Sequence, residues 1–288
     1  MDLFQYDFMQ RALVGALVIG LTAPALGIYL VQRRLALIGD GIGHVALTGV
    51  GAGLLLNRSP VLVAVVAAIL GAITIELVRA RGRTSGDLAL ALLFYGGIAG
   101  GVMLVGLSDA SSANLNAYLF GSLTTTSAAD LTTIAVLGGT IAVLMLALRP
   151  ALFAVCHDEE YARVAGLPVR ALNLLLAVAT AVTVTIAMRA VGVLLISALM
   201  VVPVATAQQV TRGFRSTMTA AMALGLFAAG AGIWVAATAD TAPGASVVLL
   251  AIASFLVVAL AAAAWRVLRR RAVPTAATAQ EPHEVVLR

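Results

Sequence analysis

Residues 10–34 read QRALVGALVIGLTAPALGIYLVQRR. No charged residue stands between Arg11 and Arg33. A helix needs about 20 such residues to cross the hydrocarbon core of a bilayer, so this stretch reads as a membrane span closed by a basic pair. The pattern then repeats along the chain. Candidate spans lie at 10–32, 40–56, 60–78, 88–107, 129–148, 171–188, 191–210, 217–238 and 245–267. Apolar residues make up 61% of the 288 positions and charged residues 11%, against roughly 45–50% and about 25% in soluble domains. Mean hydropathy is +1.05. This composition excludes a soluble enzyme, a disordered protein and, despite the net charge of +5, a nucleic-acid binder. Cys156 stands alone, which excludes a disulfide framework.

All 18 basic residues are arginines. A P-loop needs a lysine at the nucleotide phosphates, so any ATP that drives this chain is bound by another. The arginines also fix an orientation. With the loop 149–170 placed in the cytoplasm and the spans alternating from it, 15 arginines fall inside and 3 (Arg11, Arg58, Arg189) outside. This is a strong positive-inside bias. It predicts nine spans with the N-terminus outside and the C-terminus inside. Segment 40–56 is short and glycine-rich. Were it re-entrant, the count would be eight and the N-terminal side would flip. Residues 1–10 carry Asp2 and Asp7 and no basic residue, which is the wrong start for a cleavable signal. The expected organisation is a membrane domain over 1–271 and a disordered cytoplasmic tail over 272–288.

Ionisable groups within a membrane point to function. Asp40 and His44 open the second segment in Ile38-Gly39-Asp40-Gly41-Ile42-Gly43-His44. Four residues apart on a helix puts them on one face. A carboxylate and an imidazole there form half a site for a divalent transition metal. The blander alternative is an N-cap aspartate beside a hydrogen-bonded core histidine. Asp240 lies before Pro243 and Gly244, where a plain turn aspartate also fits. Glu76 reads as a salt-bridged interface residue near Arg79, and Arg189 as a span-end anchor. The stretch His157-Asp158-Glu159-Glu160-Tyr161-Ala162-Arg163-Val164-Ala165-Gly166-Leu167-Pro168 starts with acids and ends in Gly-Leu-Pro. It predicts a short amphipathic helix, either resting on the membrane or docking a cytoplasmic partner. His157 and His283 lack neighbouring ligands and carry no role. H-E-x-x-H and G-x-S-x-G are both absent, so no hydrolase motif is present.

Five stretches in register resemble one family. Arg33-Arg34-Leu35-Ala36-Leu37-Ile38-Gly39-Asp40, followed by His44-Val45-Ala46-Leu47 and Gly49-Val50, is similar to the "RRMALIGDALSHAVLPGV" region of the integral-membrane permeases of bacterial zinc/manganese ABC importers, the ABC-3 type. Tyr118-Leu119-Phe120-Gly121-Ser122-Leu123 resembles that family's "YLFG" stretch. Asp158 to Ala162 with Ala165 to Val169 resembles the loop that docks into the ATPase. Leu194 to Pro203 with Ala205-Thr206-Ala207, and Asp240 to Leu249 against "D-x-P-S-G-x-x-I-V-L", complete the set. The matches span about residues 10 to 267.

The resemblance implies an all-α membrane protein, a polytopic bundle of eight to nine transmembrane helices with a cytoplasmic coupling helix. It implies a transmembrane permease domain over 1–271, in the bacterial cell membrane. The chain would have no catalysis of its own and no permanently bound cofactor, with Zn2+ or Mn2+ as transported substrate. Implied partners are an ABC ATPase subunit, an extracytoplasmic metal-binding lipoprotein and a second permease copy, most simply in a homodimer. Asp40, His44 and Asp240 map onto the family's metal-path residues. Asp158, Glu159, Glu160, Tyr161, Ala162, Gly166, Leu167 and Pro168 map onto the ATPase-coupling loop. Gly43 replaces the family's serine, and Ala242-Pro243-Gly244 displaces its proline and drops its serine. Straight helices would put Asp40 and Asp240 at opposite membrane faces, so they share one ion only if segment 40–56 or 240–250 breaks. The rivals are a permease for a siderophore- or cobalamin-type chelate, which would lack the Asp40/His44 pair, and a secondary transporter, which would work without an ATPase.

Overall fold

The computed structural model describes residues 6–80, 86–108, 118–122, 127–188, 190–193 and 195–272. Of the tail expected over 272–288, Ala272 ends the last helix, and residues 273–288, like Arg189, lie outside this set. Eleven helices are labelled here in chain order: α1 Asp7–Gln32, α2 Ile38–Leu55, α3 Pro60–Ala80, α4 Gly86–Gly106, α5 Ala128–Ala147, α6 Arg149–His157, α7 Glu159–Val164, α8 Val169–Ala187, α9 Ile196–Gln208, α10 Phe214–Ala239 and α11 Pro243–Ala272. Eight of them, all except α6, α7 and α9, are long and apolar enough to cross a membrane. The chain is an all-α, multi-pass membrane protein.

Burial divides the helices into a centre and a shell. Helices α1, α2 and α8 are mostly buried, whereas most residues of α3, α4, α5 and α11 are only partly buried or exposed. Outward-facing Leu62, Leu92, Val143 and Leu260 are each more than 60% exposed. A water-soluble protein could not tolerate such a face; a bilayer supplies its solvent.

Small residues bring the helices together, as lipid-phase packing requires. On α1, a Cβ on Gly20 would lie 2.7 Å from the Gly225 carbonyl oxygen of α10, and one on Gly27 would strike the Met200 carbonyl of α9. Between α2 and α4, a Cβ on Gly97 would lie 2.6 Å from the carbonyl carbon of His44, and one on Gly101 would lie 2.8 Å from Leu47. Thr48 donates a 2.7 Å hydrogen bond to the Gly97 carbonyl and pins the same seam. The buried Tyr29 hydroxyl donates to the Met145 carbonyl at 2.7 Å and ties α1 to α5.

Segment 40–56 corresponds to one unbroken helix, Ile38–Leu55. The run 191–210 is helical only from Ile196. Before it, Ala190 to Val193 follow a non-helical path with Gly192 at φ 93°. This path lies against residues 118–121, where Val193 N–H donates to the Tyr118 carbonyl at 3.0 Å. Gly121, at φ 77°, faces the Ala190 carbonyl, and a Cβ on Gly244 would strike the Val191 carbonyl. Irregular backbone at membrane depth survives only inside protein or beside a water-filled path. Here Ala190, Val191 and Val193 are all nearly fully buried.

Candidate functional site

Helix α2 starts abruptly. Its N-cap is Leu37, which makes no side-chain capping bond. Asp40 is the third residue of the helix and half-buried. The N-cap reading of Asp40 is therefore set aside. One turn on, His44 is 7% exposed and its ring meets Phe94 of α4 edge-on, at 4.3 Å between centroids. Its Nδ1 is buried with no hydrogen-bond partner. Buried polar atoms are nearly always bonded, and each exception calls for an explanation. The Asp40 carboxylate acts electrostatically on this ring. A carboxylate and an unoccupied imidazole nitrogen thus share one end of α2.

Two further features border that site. On α9, the Ser197 hydroxyl is also buried without a partner, and a Cβ on Gly39 would lie 2.8 Å from it. The Val193 carbonyl lies 3.4 Å from where a Gly43 Cβ would stand. Gly43 thus packs against the irregular 190–193 path, with a Val193 methyl 3.1 Å from the same point.

Asp240 stands elsewhere. It is exposed and ends α10 in the left-handed region, at φ 51° and ψ 48°, a conformation aspartate tolerates better than most residues. Phe8, Met9 and Leu13 at the start of α1 pack with Ala237 near this end of α10. Asp40 follows the other end of α1, a helix of 26 residues and so about 39 Å long. One ion cannot touch both aspartates. Among the described residues no three of His, Cys, Asp and Glu gather into a metal-holding group.

The predicted short helix is α7. Asp158 caps it, accepting from Tyr161 N–H at 2.9 Å. Glu160 lies in its first turn, and Ala162 is fully buried. Tyr161 and Val164 are 68% and 88% exposed, so these two apolar side chains have no cover among the described residues. Gly166, at φ 82°, closes the helix, with Gly166 N–H donating to Arg163 and Leu167 N–H to Ala162. Pro168 then caps α8. Beside α7 a cleft of about 870 Å³ opens, lined by Glu76, Arg79, Glu159, Arg163, Arg170 and Asn173. The Glu76–Arg79 ion pair expected from sequence is present at 2.9 Å.

Sequence reading missed the use made of Arg33. Its side chain is only 7% exposed, and it pairs with Glu159 at 3.1 Å and with Asn173 at 2.6 Å. An arginine at a span end ordinarily snorkels to water, and nothing in the local pattern distinguishes this one. Nearby, burial pushes the Cys156 thiol of α6 up to about 11, with Arg33 acting in the opposite direction. The folded thiol thus stays protonated well past the pH at which an exposed cysteine ionises. Maleimide labelling of the folded protein should stay slow to about pH 10 and climb toward pH 11. Labelling at the rate of free cysteine at pH 8 would contradict this burial.

The fold is thus a multi-pass bundle with an Asp–His pair one turn apart on α2 and an exposed short helix, α7. The chain belongs to the ABC 3 transport family, whose model matches residues 5–262. It is 30% identical to the "Manganese transport system membrane protein MntC" of Halalkalibacterium halodurans over 87% of this chain and 86% of that one. It is 32% identical to the "Chelated iron transport system membrane protein YfeD" of Yersinia pestis, over 89% and 86%. It is 30% identical to the "High-affinity zinc uptake system membrane protein ZnuB" of Haemophilus influenzae, over 85% and 94%. Among solved structures, PsaBC from Streptococcus pneumoniae in complex with Fab superposes with a TM-score of 0.80 at 30% identity, covering 89% of this chain and 92% of that one. This is a family of metal-transport ABC permeases, and the chain is a membrane subunit of that kind.

Proposed function

We propose that this chain is the permease of an ATP-driven importer of a divalent transition metal, zinc or manganese. The observation that carries the reading is the buried, unpartnered His44 Nδ1 one helical turn from Asp40. An imidazole must be neutral to bind metal, so binding and uptake weaken in acid. Imidazole suits zinc and carboxylate suits manganese, and this pair serves either. The arginine-rich end of the bundle, with Arg33, Arg34, Arg79, Arg149, Arg163 and Arg170, faces the cytoplasm by the positive-inside rule. The C-terminus lies on that side. Nine crossings then fit, with α9 as the short ninth.

An extracytoplasmic lipoprotein delivers the ion to the outer end, where Asp240 forms a first station. Asp40 and His44 form a second, deeper one. The separation of these residues supports stations in series. A weak site at each lets the ion move on. An ATPase subunit docks on Tyr161 and Val164 of α7, and rigid-body movement of the helices alternates access. A second copy of the chain completes the importer.

The test is uptake into liposomes that hold this chain with the ATPase that copurifies with it, given zinc or manganese and ATP. ATP-dependent accumulation of one metal supports the reading. ATP-independent accumulation would replace it with a secondary transporter. A bulky residue at Gly166 should leave ATP hydrolysis running while metal uptake falls, because the left-handed turn that sets the angle of α7 is lost. Full uptake per ATP in Gly166→Trp would remove α7 from the coupling path.

A further inference from the structure

Helix α7 has few ties to the bundle. Among the described residues, Arg33 is the one side chain outside 158–168 that makes an ion pair or side-chain hydrogen bond with it. Glu159 opens α7 and divides its carboxylate between Arg33 at 3.1 Å and Arg163 at 3.4 Å. The other arm of the Arg33 guanidinium donates to Asn173 of α8 at 2.6 Å. Arginine fits this place because its rigid fork reaches two partners at once, which a lysine ammonium cannot do in the same geometry.

Arg33 is also the C-cap of α1 and begins the turn into α2. That turn is stiff. Arg33 N–H donates to Tyr29, Leu35 N–H to Leu30 at 2.8 Å, and Ile38 N–H to Leu35 at 3.0 Å. Arg34 adopts the left-handed region at φ 58°. Asp40 follows in the first turn of α2. A displacement of Glu159 is thus carried through a buried fork and a hydrogen-bonded turn to the carboxylate at the start of α2.

We propose that Arg33 is a positioning residue, through which movement of the docking helix reaches Asp40. This rests on the reading of α7 as the ATPase-docking element. The test measures ATP hydrolysis and zinc or manganese uptake on the same liposomes, holding this chain and its copurifying ATPase. In Arg33→Lys the ATPase should stay bound and active, while metal moved per ATP falls about five-fold or more, and in Glu159→Gln metal moved per ATP should fall alike. The double variant should lose no more than the worse single one, because both changes cut one link. If Arg33→Lys fails to fold, Asn173→Ala removes one neutral partner and gives the same readout. Unchanged metal per ATP with the ATPase bound would overturn the proposal, as would losses that multiply in the double variant. Loss of the ATPase from Glu159→Gln, with Arg33→Lys normal, would make Glu159 a direct ATPase contact and overturn it too. Failure of any ATPase to copurify with the unaltered chain would instead overturn the docking reading on which it rests.

Discussion

His44→Phe should fold as well as the unaltered protein and carry no metal. The substitution keeps a ring against Phe94, where the present contact is edge-on at 4.3 Å. Such ring pairs contribute about 0.5–1.5 kcal/mol. It also removes a buried nitrogen that has no partner, and leaving such an atom unsatisfied costs roughly 1–3 kcal/mol. The two terms favour equal or slightly higher stability. In the proposed metal path, transport depends on that same nitrogen. Altering even an outer-shell neighbour of a metal ligand typically costs about 10–100-fold, so deleting a ligand should bring uptake to background. Asp40→Asn should behave alike, since the amide keeps the shape and loses the charge. The measurement is metal uptake beside thermal unfolding in the same detergent. Normal uptake by His44→Phe would make His44 a packing residue and dissolve the metal path proposed here.

Gly192→Ala should destabilise the fold on the order of 3 kcal/mol. Two causes act together. The residue sits at φ 93°, where an L side chain is strained, and an added methyl would run into the Leu119 carbonyl and lie 2.6 Å from the Phe120 carbonyl carbon. Those neighbours are backbone and cannot swing aside. Gly166→Ala is the internal comparison. It has φ 82°, but nothing lies within 4 Å of the added atom, so only the backbone strain of about 1–2 kcal/mol applies. Thermal unfolding of the two variants should rank them in that order. Equal stability would mean that the 118–121 and 190–193 paths part easily.

The spans were legible because lipid demands long apolar runs and the chain supplies them without ambiguity. Eight helices fall within a few residues of the ranges read from sequence. The ninth began five residues late, at Ile196 rather than 191. Periodicity cannot see this break, because Ala190, Val191 and Val193 are as apolar as a helix would be. Only the positive φ of Gly192 betrays it. The spacing of Asp40 and His44 correctly placed them one turn apart on α2. Spacing could not show that the imidazole is buried and unpaired, since that depends on α4 closing over it through Gly97. Asp240 was foreseen to lie far from Asp40 if neither segment broke, and α2 and α11 are each one continuous helix. Arg33 escaped notice because burial of a span-end arginine depends on Glu159 and Asn173, more than 120 residues away.

Helix α9 has a bearing on how the protein is made. Its 13 residues reach about 20 Å, roughly 10 Å short of a bilayer core. Left alone in lipid, the irregular backbone of 190–193 beside it would expose unsatisfied polar groups at several kcal/mol each. The segment therefore has no independent route into the membrane. Its berth is the groove opened by Gly27 of α1 and Gly39 of α2, and both leave the ribosome more than 150 residues earlier. Biogenesis is thereby ordered: the first two helices must wait, inserted and accessible, for a late passenger that docks on them before α10 and α11 pack over it.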